Sequence, residues 1–398
     1  MKSLGSSSRP LRICRIVTVP FIFETLLREQ LTYVAQQGMD VTLVSSPGPA
    51  LERICKSLEI SYYPIAMARR PKPWRDFLSL LSLISLFIRK RFDIVHSTAP
   101  KAGLLTALAG ALGRVPVRIH TFTGQVWVER QGLSRKIMRY CDWLIGHLDT
   151  HCYADSTSQR DFLVEEGLVE TSRISVLGAG SISGVNLERF NRNRLAGEHA
   201  AELRRKLGIS EQSLVIIFVG RLAKDKGIRE LVSAFRMLQA DRNDVELILV
   251  GPSLESEHDP LPKETLDEVS NNPHIHAVGF SCEPERYMGI ADVFCLPSYR
   301  EGFGSVVIEA AAMGVPAVAS RVLGLIDAVA DGETGVLVPA KEIEPLRCAL
   351  VKMLSAPEIR RRMGCAARER AVRDFDSKIV NRLLCEEYEK LVARHPSK

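Results

Sequence analysis

The stretch Tyr299-Arg300-Glu301-Gly302-Phe303-Gly304-Ser305-Val306-Val307-Ile308-Glu309-Ala310 joins two segments of different periodicity. Upstream, Ala291 to Pro297 is a short apolar run ended by a proline, which reads as a buried strand. Downstream, Val306 to Met313 reads as a helix opened by Ser305 as N-cap and closed by Gly314. The connection is a glycine-bearing turn with one carboxylate in it, Glu301, and another about one helical turn further on, Glu309. Orphan N–H groups and the macrodipole of a helix N-terminus favour an anion at such a turn. A carboxylate beside it is badly placed to touch phosphate and well placed to accept hydrogen bonds from hydroxyls. The local pattern therefore fits either an ordinary strand-to-helix connection with solvated glutamates or a site for a sugar nucleotide, which brings phosphate and hydroxyls together.

Working outward, the same alternation fills the chain. Leu11 to Val19 reads as a first strand, Glu24 to Gln37 as a helix stopped by Gly38, and Asp40 to Val44 as the next strand. Strand, helix, strand in that order predicts a parallel, doubly wound sheet with a right-handed crossover. The first turn, Val19 to Glu24, contains no glycine, so the GxGxxG fingerprint of a dinucleotide-binding dehydrogenase is missing. A second set of strands opens at Ser213–Gly220 and continues through Val245–Gly251, His274–Gly279, Val315–Ala319 and Gly335–Val338. The 398 residues are enough for two domains with separate cores. An apolar content of 46% and a charged content of 25% are those of a globular chain, which excludes disordered and fibrous classes. Nine cysteines, scattered singly with no CxxC pair, argue against a disulfide framework and for a reducing cytosol. Met1 to Pro10 reads as a short polar leader, not a signal peptide.

Glu301, seven residues, then Glu309, with Gly302-Phe303-Gly304 between, resembles the signature of retaining glycosyltransferases of the GT-B fold, family 4. The likeness extends over nearly the whole chain and is most specific in its second half. Gly220-Arg221-Leu222-Ala223-Lys224-Asp225-Lys226-Gly227 resembles the family's Arg/Lys segment for the donor diphosphate. The residues alone add one argument: Arg221 follows a buried strand directly, where an unpaired guanidinium would be costly. The resemblance implies an α/β, GT-B architecture of two Rossmann-like domains, each a doubly wound parallel sheet, facing an interdomain cleft. It places an acceptor-binding domain at residues 1–190, joined by a final helix at about 376–398 that packs back, and a nucleotide-sugar-binding domain at 191–375. Arg221, Lys226 and Glu301 would be the catalytic groups, and Gly220, Gly302, Phe303, Gly304, Ser305 and Glu309 would bind the donor, Glu309 through its ribose diol. Gly251-Pro252 and Gly279-Phe280 are expected near the nucleoside. No metal and no cofactor are expected, the nucleotide sugar, by family frequency a UDP-sugar, being a co-substrate. Two features depart from the family. The first turn lacks its glycine pair, and Thr123 stands before Gly124 where relatives carry a cleft histidine; His120, read as the end of a strand Val115–His120, is either a replacement or a structural residue.

Asp76 to Ile88 is apolar but too short for a bilayer, which needs about 20 residues. Arg69, Arg70, Lys72 and Trp74 precede it and Arg89-Lys90-Arg91 follow, a composition suited to an anionic membrane surface. Ser79, Ser82 and Ser85 keep a three-residue step, so a partly packed helix with one polar stripe is expected, its basic end and Trp74 facing headgroups. The chain is thus expected at the inner face of the cell membrane, passing a sugar to a glycan or polyprenyl-diphosphate-linked acceptor in bacterial surface polysaccharide assembly, with no nucleic acid partner. Three readings compete: an inactive sugar-nucleotide-binding or membrane-scaffolding protein; a GT-B sugar-nucleotide epimerase, for which no first-domain carboxylates are evident; and a glycogen-phosphorylase-like enzyme, whose pyridoxal lysine the resemblance does not suggest.

Overall fold

The structure, a computed structural model, describes residues 9–68, 70–195, 197–253 and 260–396. Its contacts divide the chain into two units, Met1–Gly184 with Ser377–Lys398, and Val185–Asp376. The division falls at 184/185 and not at 190/191 because Val185 N–H donates to Phe375 O (2.8 Å) and Phe190 joins the second unit's core.

Unit 1 is a seven-stranded parallel sheet of β1 (Arg12–Val17), β2 (Asp40–Ser45), β3 (Ser61–Pro64), β4 (Ile94–Thr98), β5 (Val117–Phe122), β6 (His151–Ala154) and β7 (Ile174–Val176), ordered 3-2-1-4-5-6-7. Unit 2 has six parallel strands, β8 (Leu214–Val219), β9 (Val245–Val250), β10 (Ile275–Gly279), β11 (Val293–Leu296), β12 (Ala317–Ser320) and β13 (Gly335–Val338), ordered 10-9-8-11-12-13. Central strands such as Leu214–Val219 are apolar on both faces because helices cover both. Each sheet reverses its winding once, between β1 and β4 and between β8 and β11. This is the pair of doubly wound sheets that the order of segments in the sequence implies.

Three local expectations need correcting. The helix expected over 24–37 is broken into Phe21–Thr25 and Arg28–Gln36, where Leu26 O leaves the helical ladder to accept from Ser183 Oγ (2.7 Å). The strand expected to end at His120 runs on to Phe122, which places His120 inside the sheet. Ser79, Ser82 and Ser85 do not share one face of the helix Pro73–Lys90: Ser79 is buried and donates to Ala66 O, whereas Ser82 and Ser85 are exposed.

The final helix, Ser377–Arg394, covers one face of unit 1 through Val380, Leu384, Tyr388 and Leu391. Register aligns Arg15 of β1 with His96 of β4 beneath it. Tyr388 OH accepts from Arg15 Nη1 (2.8 Å) and meets His96 Nδ1 (2.6 Å), while His96 Nε2 meets Thr121 Oγ1 (2.7 Å). Burial, reinforced by the Arg15 charge, holds His96 well below its ordinary pKa and therefore neutral. A buried polar chain of this kind is costly once a member is lost. Tyr388→Phe, which removes only the hydroxyl, is expected to lower the unfolding free energy by about 1–3 kcal/mol; urea titration followed by circular dichroism checks it, and an unchanged midpoint would contradict the reading.

Candidate functional site

In open parallel sheets, ligands sit outside the carboxyl ends of the strands at the reversal point. In unit 2 that point is flanked by the loop after β8 and the loop after β11. Gly227, at φ +69°, lies so close to the second loop that a Cβ there would be 2.1 Å from Pro297 O. Only glycine allows both the conformation and the approach. The loops are then tied together. Tyr299 N–H donates to Asp225 O (2.9 Å), Arg300 Nη2 lies 3.4 Å from Asp225 Oδ2, and Tyr299 OH donates to Glu230 Oε2 (2.8 Å). Glu230 is buried at the start of the helix Ile228–Gln239 and takes Arg229 on its other oxygen.

On this base Lys226 Nζ donates to Glu301 Oε1 (2.5 Å), which also accepts from Ser298 Oγ (2.8 Å). Both charged side chains are largely buried, at 17% and 16% exposure. Two hydrogen bonds occupy one carboxylate oxygen and leave Oε2 without a partner among the described residues. The ammonium likewise keeps two of its three N–H groups. Arg221 lies 3.7 Å from Asp225 and is 42% exposed, so the costly buried guanidinium expected after the strand does not arise: the chain turns outward and the group reaches solvent.

The helix after the turn is Ser305–Ala312, and its N-cap is Gly304 at φ +85°, not Ser305. A Cβ at Gly304 would approach Leu325 Cδ2 to 2.6 Å, so the turn is closely packed from outside. Phe303, placed among the donor contacts by sequence, is a core side chain packed on Phe375 with ring centroids 5.2 Å apart. Gly302 is buried, while Gly304 and Ser305 are partly open. Gly220 ends β8 and donates its N–H to Val250 O (2.9 Å). Glu309 faces different neighbours from Glu301. Burial raises its carboxyl to about 7, Arg189 opposes the shift and Glu285 adds to it, and Arg189 and Glu285 are themselves paired at 2.8 Å. Phe280, at the carboxyl end of the edge strand β10, keeps half its ring surface in solvent. The structure thus joins Lys226 to Glu301 directly, places Arg221 against Asp225, the residue before Lys226, and holds Glu309 further along the helix.

In unit 1 the expected cleft residues separate. His120 is buried between β5 and the helix Pro100–Leu112, where a Cβ on Gly103 would lie 2.5 Å from its ring. It meets Ser97 Oγ (2.8 Å), and burial lowers its pKa to about 3, so it stays neutral. Of the two readings of His120, this geometry fits the structural one. Thr123 and Gly124 lie past the strand and are partly exposed. The aromatic end of the same loop is not open, since Trp127 is buried and donates to Asp142 Oδ2 (2.7 Å). Arg70, Lys72 and Trp74 are exposed, and Arg69 lies outside the described residues.

Sequence reasoning missed Asp225, Glu230, Ser298 and Tyr299, whose roles arise only when the two loops meet. The one signal available was Asp225 between Lys224 and Lys226. It also missed an apolar stripe on the helix Gly132–Leu148, where Leu133, Ile137, Tyr140 and Trp143 are exposed at helical spacing.

Comparison with known proteins adds family information. Residues 200–370 match the family described as glycosyl transferases group 1, and residues 24–180 match the glycosyl transferase 4-like domain. The capsular polysaccharide biosynthesis glycosyltransferase CapM of Staphylococcus aureus is 31% identical over 357 residues, covering 89% of this chain and 91% of that protein. The UDP-Gal:alpha-D-GlcNAc-diphosphoundecaprenol alpha-1,3-galactosyltransferase of Escherichia coli is 23% identical, covering 88% and 89%. The Anabaena HepE protein, solved with UDP and glucose, superposes with a TM-score of 0.80 at 18% identity over 95% of this chain and 99% of its own.

The raised pKa of Glu309 makes a stability prediction. A carboxyl near 7 in the folded chain, against about 4.3 when free, is protonated longer in the folded state. Its contribution to stability is present in full below the free value and lost as pH rises through 7. Glu309→Gln cannot titrate and is expected to lose less thermal stability than the parent between pH 5 and pH 8. Equal losses in the two melting series would show that Glu309 is not held in this way.

Proposed function

The chain belongs to the glycosyltransferases, and from that premise we propose that it is a retaining, metal-independent hexosyltransferase using a nucleotide sugar, most simply a UDP-sugar. The observation that carries this reading is the partly buried Lys226–Glu301 pair at the sheet reversal of unit 2. Lys226, with Arg221 beside it, supplies positive charge for a departing diphosphate; N–H groups at Gly304 and Ser305 and the helix dipole add to it. Glu301 Oε2 accepts from hydroxyls of the donor sugar, and Glu309 holds the ribose diol. The acceptor oxygen bonds to the anomeric carbon as the bond to the diphosphate breaks on the same face, and the hydroxyl proton passes to the leaving phosphate oxygen. Support comes from the printed substrates of the E. coli relative and from the UDP bound to the Anabaena protein. Lys226→Ala is expected to lower kcat for transfer about a hundredfold, some 3 kcal/mol of transition-state stabilisation. Release of nucleoside diphosphate from a panel of nucleotide sugars measures it; a variant as active as the parent would remove Lys226 from the chemistry.

The acceptor in this reading is a glycan, lipid-linked, in bacterial surface polysaccharide synthesis, with the enzyme peripheral at the inner membrane face. No helix among the described residues is long and apolar enough to cross a membrane. Two helices of unit 1 support surface attachment instead. Pro73–Lys90 exposes Trp74, Phe77, Leu78, Leu81 and Ile88, and Gly132–Leu148 exposes its stripe beside Arg135 and Lys136. Both pack on the helix Pro100–Leu112, and right-handed crossovers from β3 to β4 and from β5 to β6 carry them to one face of the sheet. Basic residues around apolar side chains suit anionic headgroups. Vesicles containing anionic lipid should sediment the protein. Glutamate at Arg69, Arg70 and Lys72, or Ile137→Ser with Tyr140→Ser, should each cut the bound fraction severalfold; no sedimentation by the parent protein would sink the membrane reading.

A further inference from the structure

The opposite end of unit 2 carries a second feature that the donor reading leaves unused. At the amino ends of β11 and β12 lies a cavity of about 380 Å³, floored by Met313, Gly314 and Pro316. Arg192, Arg360, Arg361 and Arg368 line it, with Asp292 and Cys365. Three of the lining groups, Arg361, Cys365 and Arg368, fall at i, i+4 and i+7 on one face of the helix Pro357–Asp374. That helix is pressed on the turn before β12, since a Cβ at Gly364 would lie 2.3 Å from Gly314 O. The cavity is the space beside this contact.

The arginines are anchored chiefly by neutral groups. Arg192 Nη2 donates to Ala291 O (3.2 Å), Arg360 Nη1 to Met353 O and Leu354 O (3.0 Å each), and Arg368 Nη1 to Ala312 O (2.7 Å). Carbonyls fix a guanidinium in place without cancelling its charge. Among the described residues, two carboxylates pair with the four arginines: Asp292, 3.6 Å from Arg360 Nε and also accepting from Val215 N–H, and Glu358, 3.1 Å from Arg361. Desolvation pushes Arg192 below its ordinary pKa, with the Asp292 carboxylate opposing the shift and Arg204 adding to it.

We propose that this cavity is a second anion site, which takes the phosphoryl group of a small phosphorylated molecule and is separate from the Lys226–Glu301 turn. The volume is within the range of small-molecule sites, about 300–1,000 Å³. A guanidinium fork fits carboxylate and phosphate geometry alike, but the three oxygens and larger charge of a phosphoryl group can engage several arginines at once. This inference does not depend on what the Lys226–Glu301 turn binds.

Inorganic pyrophosphate is the probe, titrated calorimetrically into the full chain at low ionic strength. Lys226→Ala leaves the Glu301 carboxylate uncompensated at the donor turn, which then repels the anion, and in that background binding should persist. Adding Cys365→Glu places a carboxylate in the cavity without removing an arginine and should weaken binding at least tenfold, whereas Cys365→Ser should leave it unchanged. Melting curves confirm that each variant is folded. Loss of all binding in Lys226→Ala, or binding indifferent to Cys365→Glu, overturns the second site.

Discussion

A parallel sheet that reverses its winding leaves two neighbouring strands whose following loops are carried to opposite faces. The space between those loops is not filled by a crossover helix. In unit 2 this constraint falls between β8 and β11, and everything at the candidate site follows from it. Lys226 and Glu301 are 75 residues apart in sequence and meet only because β8 and β11 are hydrogen-bonded neighbours. Gly227 lets the two loops touch, and Tyr299 then fastens its loop to Asp225 and Glu230 on the other. The result is a pair of charges set by backbone position before any ligand arrives, which is what electrostatic stabilisation of a departing group requires.

Unit 1 has the same winding but a different interior. Its strands carry polar residues where β8 and β9 carry chiefly valine, leucine and isoleucine, and some of those residues hydrogen-bond one another across the sheet. Arg15, His96, Thr121 and Tyr388 form one chain beneath the final helix, and Ser97 with His120 forms a second contact on the other face. The buried histidines 96 and 120 are both held neutral by desolvation, which makes them packing and hydrogen-bonding elements of the sheet.

Element order, both parallel sheets and the turn between β11 and its helix were legible in the sequence, because each rests on local periodicity and on glycine at fixed offsets. His120 was not. Its depth depends on β5 running two residues further, and strand ends are set by pairing with β4 and β6, which no local pattern encodes. Phe303 sits inside a glycine turn and looks available, yet its ring goes to Phe375, seventy-two positions away. Arg221 was argued to need a partner because a strand end is buried; the chain turns outward immediately and removes the need. The apolar stripe of Gly132–Leu148 escaped notice because an amphipathic helix reads the same whether its apolar side faces a core or the outside. Only the packing of Pro100–Leu112 decides which.

Why the chain keeps Lys226 against Glu301 is a question of energy as much as of position. A partly buried ion pair recovers little more than its own desolvation, so it adds little to the stability of unit 2. Removing one partner is another matter, because the survivor is left in a poor solvent. An occupant that brings anionic oxygens to the spare N–H groups of Lys226, and hydroxyls to Glu301 Oε2, adds partners without breaking the existing bond. The pair is then a template held neutral while empty and completed on binding, with Ser298 retaining its hydrogen bond throughout. Such a template discriminates by composition: phosphate alone would face the carboxylate uncompensated, and a sugar alone would leave the ammonium unsatisfied. A ligand carrying both in adjacent positions meets each group with its complement, and this is the physical reason behind the proposal that the turn takes a nucleotide sugar.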